Sequence, residues 1–483
     1  MSGHIKSITN PRLSLDILSP EEVERIHTAS LEVIEKTGVK FPSEKALRIW
    51  QSHHADVDFD TTIVKVPGEI IENALKKCPP AYTLAARNPS QDLPLDGNHV
   101  YVGTDGCGVQ MIDIETEELR PSCLGDVAEI ARVADCLEQV AFHWVAVSAQ
   151  DCPAETRGLH ELKAIWENST KHAQTESIYS EIEAGAAVEM AKIIAGDSEA
   201  MRERPPLSMV QCTLSPLGQD GGSLEAALVA AQAGLPVGFM TMASCLTTGP
   251  ATMAGSLVVG NAEVINAAAL IQLTYPGTPF FYSAAQTASD PRSGAYTGGG
   301  PEDFLFGAAT NALADYYKMP LSMGSFATGA KRPNWQAGIE NSLSTFMASV
   351  VMSDMLLGVG LLHGSRIFSY EQLLLDCEIF DIVHQMMQGI AINEETLALD
   401  EIHAVGPGGN FLAQKHTKKH VRNIWVPQYF DRRPYSEWEE NKDEVRGRAK
   451  SKAKEILDSH QPEPLDPDKS RELERIISSL EKK

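Results

Sequence analysis

The amino-acid sequence predicts an α/β protein built on a (β/α)8 TIM barrel, in which eight parallel strands alternate with eight helices. Between about residues 100 and 390, short β-prone runs end in small or polar residues and are each followed by a longer helical stretch. This alternation implies parallel pairing through crossovers. A closed barrel fits better than an open nucleotide-binding sheet, because "GTDGCG" (103–108) matches the glycine fingerprint of such sheets poorly.

The eight predicted strands are taken in chain order, and the stretches between them, such as 126–139 and 181–196, have helical composition. The strands are "HVYVGTD" (99–105), "VAFHWVAVSAQ" (140–150), "HAQTES" (172–177), "LSMVQCTLS" (207–215), "PVGFMTMAS" (236–244), "PFFYSAAQT" (279–287), "LSMGSFATG" (321–329) and "LLGVGLLHGS" (356–365).

The regions on either side of the barrel, residues 99–390, differ from it in composition. Residues 1–98 combine short strands with a helix that opens on the capping signature Ser19 to Glu22, which predicts an N-terminal α+β cap. Residues 391–483 are polar and charged, and they predict a C-terminal helical extension that packs on its own barrel or on a sister subunit.

Charge and composition narrow the class of protein. The 483 residues contain 41 Lys and Arg against 65 Asp and Glu, a net charge of −24 that argues against nucleic acid as a partner. The start lacks a signal-type apolar core, and the longest apolar run (251–275) is interrupted by polar residues. We therefore expect a cytoplasmic protein without membrane spans. The eight scattered cysteines predict free thiols rather than a zinc site.

Chemistry in such barrels sits at the carboxyl ends of the strands. Those ends carry aromatic, amide and hydroxyl groups in an arrangement that suits a cationic, alkylated ligand, although rings inside barrels are often plain core. No metal-ligand pattern is present, and a Schiff-base aldolase is disfavoured because Lys163 and Lys318 lie in helical stretches and Lys171 only precedes a strand. The strand-end residues are His143, Trp144, Gln150, Gln174, Glu176, Phe281, Tyr282, Gln286, Ser325, Phe326, Thr328 and His363.

Residues 235–324 resemble the central region of the trimethylamine methyltransferase family. The motifs that carry the likeness occur in order along the chain, and the tail "HTKKHVRNIWVPQYFDRRPYSEW" with the later "PLDP" is also similar. They are "PGTP" (276–279), Asp290-x-Arg292-Ser293-Gly294, Pro301-Glu302 and Gln336-Ala337-Gly338. The resemblance implies a (β/α)8 enzyme that moves a methyl group from a methylated amine to the cobalt of a separate corrinoid protein.

Founding members of that family carry pyrrolysine near the carboxyl end of strand seven. This chain has ordinary residues in the matching segment, 326–330, and so resembles the non-pyrrolysine branch, which demethylates quaternary amines. Within that branch, the sequence resembles glycine betaine:corrinoid methyltransferases. Alternatives are the same reaction on carnitine, choline, proline betaine or trimethylamine, and a non-catalytic ligand-binding barrel.

The resemblance gives the candidate residues their expected roles. We expect rings to face the trimethylammonium group, Arg292, Lys331 or Arg366 to bind the substrate carboxylate, and Gln286 or His363 to hydrogen-bond it. A carboxylate, Glu176 or Asp105, would complement the nitrogen charge; His363 and Glu176 are the catalytic candidates. The rings are Phe281, Tyr282, Tyr296, Phe326 and Trp335.

The expected partners follow from the same reading. The sequence contains no Asp-x-His-x-x-Gly corrinoid-binding motif. We therefore expect no tightly bound cofactor in this chain, with the corrinoid (cobalamin) brought by a partner protein. Broad apolar helices predict a homo-oligomer.

Overall fold

A computed structural model describes residues 4–106 and 108–482. Eight parallel strands pair in sequence order, and the last pairs with the first through Leu356 and Val102, so the sheet closes. The predicted (β/α)8 barrel is thereby confirmed. The strands are β1 (His99–Gly103), β2 (Val140–Trp144), β3 (His172–Thr175), β4 (Leu207–Cys212), β5 (Val237–Thr241), β6 (Phe280–Ala284), β7 (Leu321–Gly324) and β8 (Met355–Leu357).

Each barrel strand is followed by the helix that returns the chain to the start of the next strand. The helices are α1 (Leu124–Cys136), α2 (Arg157–Asn168), α3 (Glu181–Ala195), α4 (Gly221–Ala233), α5 (Met253–Thr274), α6 (Pro301–Tyr317), α7 (Trp335–Val350) and α8 (Tyr370–Met387). A short helix, Ser198–Glu203, follows α3. The helices run antiparallel to the strands, so their N-termini surround the carboxyl ends of the strands, which we call the mouth.

Every predicted strand run contains one barrel strand, but the last run is much shorter than predicted. Its pairing with the barrel ends at Leu357 because Gly358 (φ 115°) and Gly360 (φ 87°) take backbone conformations that leave the β-region. The chain then turns across the mouth, where a Cβ on Gly358 would lie 3.1 Å from Phe326. The loop after β8 thus approaches the end of β7 closely.

Short strands outside the barrel tie its loops together. Ile8–Thr9 runs antiparallel to β1, and a four-stranded sheet joins the loop after β1 to the loop after β8. The strands of that sheet are Leu361–Leu362, Ile367–Phe368, Gln110–Ile112 and Leu119–Pro121. The remaining strands are Val39–Lys40, Asp56–Asp58 and Ile63–Lys65 in one sheet, Tyr82–Leu84 with Leu93–Leu95, and Ser244–Cys245 with Thr287–Ala288.

The N-terminal region packs on α5. Its helices are Pro20–Lys36, Glu44–Ser52 and Gly68–Leu75, and the 3-10 turn Pro89–Gln91 follows them. The predicted capping box is present, with Ser19 N–H donating to Glu22 Oε2 at 2.8 Å. Among the described helices α5 alone is long and apolar enough to cross a membrane, yet 78% of its most apolar window is buried inside the protein. It is a core helix of the protein, as the polar interruptions of the run 251–275 indicate.

Carboxylates on the barrel helices hold the mouth loops in place. Glu263 on α5 accepts hydrogen bonds from Thr213 Oγ1 at 2.6 Å and from Leu217 N–H at 2.8 Å, which fixes the loop after β4. Asp376 on α8 accepts from Gly360 N–H at 2.9 Å, and Glu340 on α7 from Gly329 N–H at 2.9 Å. Because the helices are packed on the barrel, these bonds transmit its rigidity to the loops.

The C-terminal region has two parts that differ in burial. Helices Val445–Ser459 and Pro467–Glu481 pack on the outer faces of the barrel helices. The segment 388–428, which we call the arm, contains the short helices Glu394–Leu397, Leu399–Val405 and Lys415–His420 and the turn Val421–Asn423, and none of its residues is buried. Helix Tyr435–Glu440 connects the arm to the packed helices.

Candidate active site

Two carboxylates meet in the mouth. Asp105 follows β1 and Glu176 follows β3, and parallel strands place such residues at the same end of the barrel. Asp105 Oδ2 accepts a hydrogen bond from Ser365 Oγ at 3.0 Å, while Cys212 Sγ lies 3.9 Å from Glu176 Oε2 as a weak donor. The last residue of β4 and residues beyond β1, β3 and β8 thus meet at one acidic pair.

The acidic pair shapes the protonation of its neighbours. Burial, and then the nearby charge of Glu176, raise the pKa of Asp105 to about 7. Burial, with Glu176 and Asp105 beside it, also raises the pKa of the Cys212 thiol well above its usual value. Cys212 is therefore a neutral donor rather than a thiolate nucleophile at neutral pH.

Gly106 lets the backbone pass directly beneath the acidic pair. A Cβ at this position would lie 2.4 Å from Glu176 Oε1 and 2.4 Å from Trp144 Nε1. No side chain fits at such distances unless the indole or the carboxylate moves. Trp144, the last residue of β2, is thereby held next to Glu176 at the wall of the mouth.

The barrel interior below the mouth carries polar atoms without hydrogen-bond partners among the described residues. The outward face of β6 is marked by Tyr282, whose hydroxyl donates to Asn261 on α5 at 3.3 Å, so its neighbour Ser283 faces inward. The unpartnered buried atoms include Ser283 Oγ, Trp144 Nε1 and Gln174 Oε1. The interior thus offers donors and acceptors that the fold itself does not use.

A basic rim adjoins Ser365, the residue that donates to Asp105. His363, Lys331 and Arg366 come from the loops after β7 and β8, and His363 N–H donates to Ala330 O at 2.8 Å. Partial burial, followed by the charges of Lys331 and Arg366, lowers the pKa of His363. This histidine is consequently neutral at pH 7, and the two cations dominate the rim.

Tyr296 extends the mouth on the side of β6. Its ring lies 3.2 Å from the position that a Cβ on Gly364 would occupy, and Gly364 precedes Ser365, the donor to Asp105. Among the predicted site residues, Tyr296 thus joins Glu176, His363 and Lys331 around the mouth.

Two predicted rings are buried in the barrel. Phe281 covers Gly238 on β5, where a Cβ would lie 2.1 Å from the ring, and Phe326 packs beside Gly358 just beyond β7. Both side chains are fully buried. Phe281 fills the barrel interior below the mouth, the ordinary core role of such a ring.

Two other predicted residues point outward from the barrel, toward the helices. Tyr282 points to α5, and Gln286 Nε2 donates to Ser256 O on α5 at 2.8 Å. Both side chains face the helix layer because they share the outward parity of β6. We correct the prediction accordingly and remove Tyr282 and Gln286 from the substrate-facing set.

Arg292 and Trp335 lie at the surface. Arg292 is 89% exposed and pairs with Asp290 in its own loop at 2.9 Å, so this ion pair stabilises the loop. Trp335 opens α7 with its indole 82% exposed, in a groove with Ile339 and Leu343 rather than in the mouth. Neither side chain contacts the acidic pair in this structure.

The small residues that follow β7 serve close loop packing rather than an open space. A Cβ on Gly298 would lie 2.1 Å from Ala327 O, and Thr328, Phe326 and Ala330 are buried. The loops after β6 and β7 therefore touch backbone to backbone.

Asp105 and Trp144 lie closer to the centre of the mouth than their sequence signals indicate. Asp105 follows a predicted strand directly, and Gly106 beside it signals a close approach of the backbone. Ser365 carries no sequence signal, because only the turn after Gly360 brings it to Asp105. Among the described residues, no group of three or more His, Cys, Asp or Glu side chains is arranged to hold a metal ion.

Comparison with known proteins extends over nearly the whole chain. The family model described as trimethylamine methyltransferase (MTTB) matches residues 1–482. The chain is 34% identical over 468 residues to the trimethylamine methyltransferase MttB of Desulfitobacterium hafniense strain DSM 10664 / DCB-2, covering 96% of this chain and 93% of the relative. It is 32% identical over 466 residues to a glycine betaine methyltransferase of Desulfitobacterium hafniense strain Y51, covering 96% of both.

A solved structure supports the fold. The monomethylamine methyltransferase MtmB of Methanosarcina barkeri superimposes with a TM-score of 0.50 at 11% identity, covering 93% of this chain and 95% of that chain. At this identity the likeness concerns the fold alone. The family match and the two full-length relatives establish that this chain belongs to the trimethylamine methyltransferase family.

Proposed function

We propose that this enzyme transfers a methyl group from glycine betaine to the Co(I) of a corrinoid carried by a separate protein, leaving dimethylglycine. The observation that carries the proposal is the charge pattern of the mouth. Asp105 of the acidic pair accepts a hydrogen bond from Ser365, and the same loop carries Arg366, whose charge acts on His363 together with that of Lys331. A zwitterion matches both groups, its cationic head the acidic pair and its carboxylate the basic rim. Trimethylamine or choline would leave the basic rim unused.

The acidic pair suits a permanent cation. Above about pH 7 Asp105 loses its proton beside Glu176, and the repulsion between the two carboxylates is relieved when a quaternary nitrogen lies between or above them. The indole of Trp144 adds a ring face, on which a quaternary ammonium gains roughly 0.5–2 kcal/mol. These groups bind the head of the substrate without needing to exchange a proton with it.

The reaction requires little more than positioning. The electron pair of Co(I) forms the Co–C bond while the C–N bond breaks and its pair stays on nitrogen, so the leaving group is a neutral tertiary amine. No side chain has to deliver a proton, which agrees with a neutral His363 and a protonated Cys212. The protein holds the substrate with one methyl group aimed outward and excludes water.

This chemistry predicts where binding energy appears in the kinetics. Positive charge on nitrogen is lost as the C–N bond breaks, so a carboxylate beside it stabilises the bound substrate at least as well as the transition state. Glu176 and Asp105 should therefore act mainly on KM. The basic rim should act on KM for substrates that have a carboxylate and not for those that lack one.

A substrate panel tests the proposal. The purified chain is incubated with free cob(I)alamin and, separately, glycine betaine, carnitine, choline or trimethylamine. Methylcobalamin absorbance and the mass of the demethylated amine are read together. We expect betaine to react fastest and choline more slowly. Conversion of trimethylamine with betaine left intact would overturn the substrate assignment, and betaine binding without any methylcobalamin would indicate a ligand-binding barrel.

A further inference from the structure

The arm, residues 388–428, contains 41 consecutive residues of which none is buried. It is nevertheless rich in large apolar side chains: Leu412 is 81% exposed, Ile390 76% and Val426 71%. Solvent-exposed segments of ordinary proteins rarely carry so many apolar groups in one stretch. The arm has the apolar composition of a protein interface. Within one chain, however, it is as exposed as a free tail.

The contacts of the arm with its own chain are sparse. Its C-terminal end is attached where Glu378 on α8 accepts hydrogen bonds from the backbone N–H groups of Gln428, Tyr429 and Phe430 at 3.1 to 3.2 Å. Ordering a residue costs roughly 1–2 kcal/mol of backbone entropy. Without apolar burial, the rest of the arm has little to offset that cost, so an ordered arm needs a partner surface.

Apolar grooves lie next to this attachment. One, of about 580 Å³, runs between α8 and the end of the arm and includes Met386, Trp425 and Phe430. A second, of about 640 Å³, lies between α7 and α8 and includes Trp335, Leu343 and, again, Phe430. The same chain thus presents an exposed apolar segment and, beside it, two apolar grooves.

Charge favours a second copy as the occupant. Residues 411–427 carry four cations and no carboxylate, whereas the whole chain has a net charge of −24. The cations are Lys415, Lys418, Lys419 and Arg422, and among these Lys419 pairs with Glu395. A second copy offers an acidic surface to this basic stretch as well as grooves for its apolar residues.

We propose that two copies of this chain exchange arms across a two-fold axis, each arm lying on the partner's Trp335 and Phe430 grooves. Such an isologous contact buries the same surfaces on both copies and leaves no apolar arm unpaired. The proposal is independent of the substrate, because the arm and the acidic pair share no residue.

Sedimentation of the full chain tests the arm exchange. At low micromolar concentration the wild type should sediment as a multiple of its 52.5 kDa chain mass. The double variant Leu412→Ser with Val426→Ser should dissociate at concentrations about tenfold higher or more, and charge reversal in Lys418→Glu should weaken assembly less. Ile182→Ser is the matched control, because Ile182 is 73% exposed outside the arm and should keep the mass of the wild type.

Hydrogen exchange separates loss of assembly from loss of folding. Arm amides of the wild type should exchange slowly when assembled and quickly after dilution, while the barrel strands stay protected in both wild type and variant. A monomeric wild type, an arm variant that stays assembled, or arm amides that exchange quickly at every concentration would each overturn the proposal. So would a wild type that is monomeric and binds anionic phosphatidylserine vesicles through the arm.

Discussion

Strands β1 to β4 and strands β5 and β6 carry different kinds of side chains at the mouth. On the side of β1 to β4, the chain places Asp105, Trp144, Glu176 and Cys212 around the mouth. Burial and then neighbouring charge raise the pKa of Asp105 and of Cys212, and Trp144 Nε1 has no hydrogen-bond partner among the described residues. On the side of β5 and β6, Phe281 covers Gly238, and Tyr282 turns its hydroxyl to α5. The first half carries a cost in stability that is typical of functional sites, whereas Phe281 and Tyr282 in the second half serve as core.

The sharpest test of this difference is the substitution Glu176→Gln. Removing one charge next to a bound cation should lower kcat/KM for betaine about hundredfold, chiefly through KM, since buried charge contacts are worth roughly 2–5 kcal/mol. Steady-state methyl transfer to cob(I)alamin measures it. Glu181→Gln, on the first turn of α3 and 45% exposed, is the control. An unchanged KM would remove the acidic pair from the site.

The basic rim should divide substrates by their carboxylates. In Arg366→Ala we expect KM for betaine to rise about tenfold, the loss of one charged hydrogen bond, with KM for choline unchanged. Arg292→Ala is the matched control, because its guanidinium is paired within its own exposed loop. Equal losses for betaine and choline would mean that Arg366 holds the loop and not the substrate.

The raised pKa of Asp105 predicts an effect of pH on substrate affinity. Betaine should bind about fivefold more tightly as pH rises through about 7, because the second carboxylate becomes charged and adds about 1 kcal/mol. In Asp105→Asn the affinity should not change over this range. Isothermal titration between pH 6 and 8.5 checks both; a wild type whose affinity is flat would contradict the assignment.

The same substitution should stabilise the fold, and the sign follows from the direction of the shift. The folded chain holds a proton on Asp105 up to about pH 7, whereas the unfolded chain releases it near 3.8, so wild-type stability falls between these values and is level above them. Asp105→Asn should therefore gain unfolding free energy that grows from about pH 4 to 7. Denaturant unfolding at several pH values measures it, and a gain that is greatest at pH 4 would be inconsistent with a buried acid.

The smallest effect on activity should come from the opposite half of the barrel. Tyr282→Phe removes a hydroxyl that donates to Asn261 on α5, so it should lower stability by about 0.5–1.5 kcal/mol and leave KM for betaine within about twofold. Thermal unfolding and betaine kinetics on the same preparation make the test. A tenfold rise in KM with unchanged stability would return Tyr282 to the mouth.

The fold was predictable because each unit of the chain repeats a local pattern. All eight barrel strands lie where β-prone runs end in small residues, and the Ser19 capping box begins the first long helix. The end of β8 was not predictable, since two glycines with positive φ redirect a run that is otherwise strand-like. Their conformation depends on the neighbouring loop and not on local preference.

The site was harder to predict because barrel strands are buried on both faces. Alternation along β6 separates Phe281 from Tyr282 but does not say which face is inward, so both rings became candidates. Glu176 is a candidate from the sequence because it is a carboxylate at a predicted strand end. Its partners, Asp105 and Ser365, come together only when β1 and β8 close the barrel, a long-range pairing with no signature in either segment.

The missing Cβ of Gly106 affects the width of the mouth. Because residue 106 is glycine, the indole of Trp144 and the carboxylate of Glu176 settle against bare backbone, at distances that a methyl branch would forbid. Replacing it by alanine would push both groups toward the opening and narrow the passage. A single substitution at residue 106 would therefore change the size of the methyl donor that the mouth accepts, without replacing a charged residue.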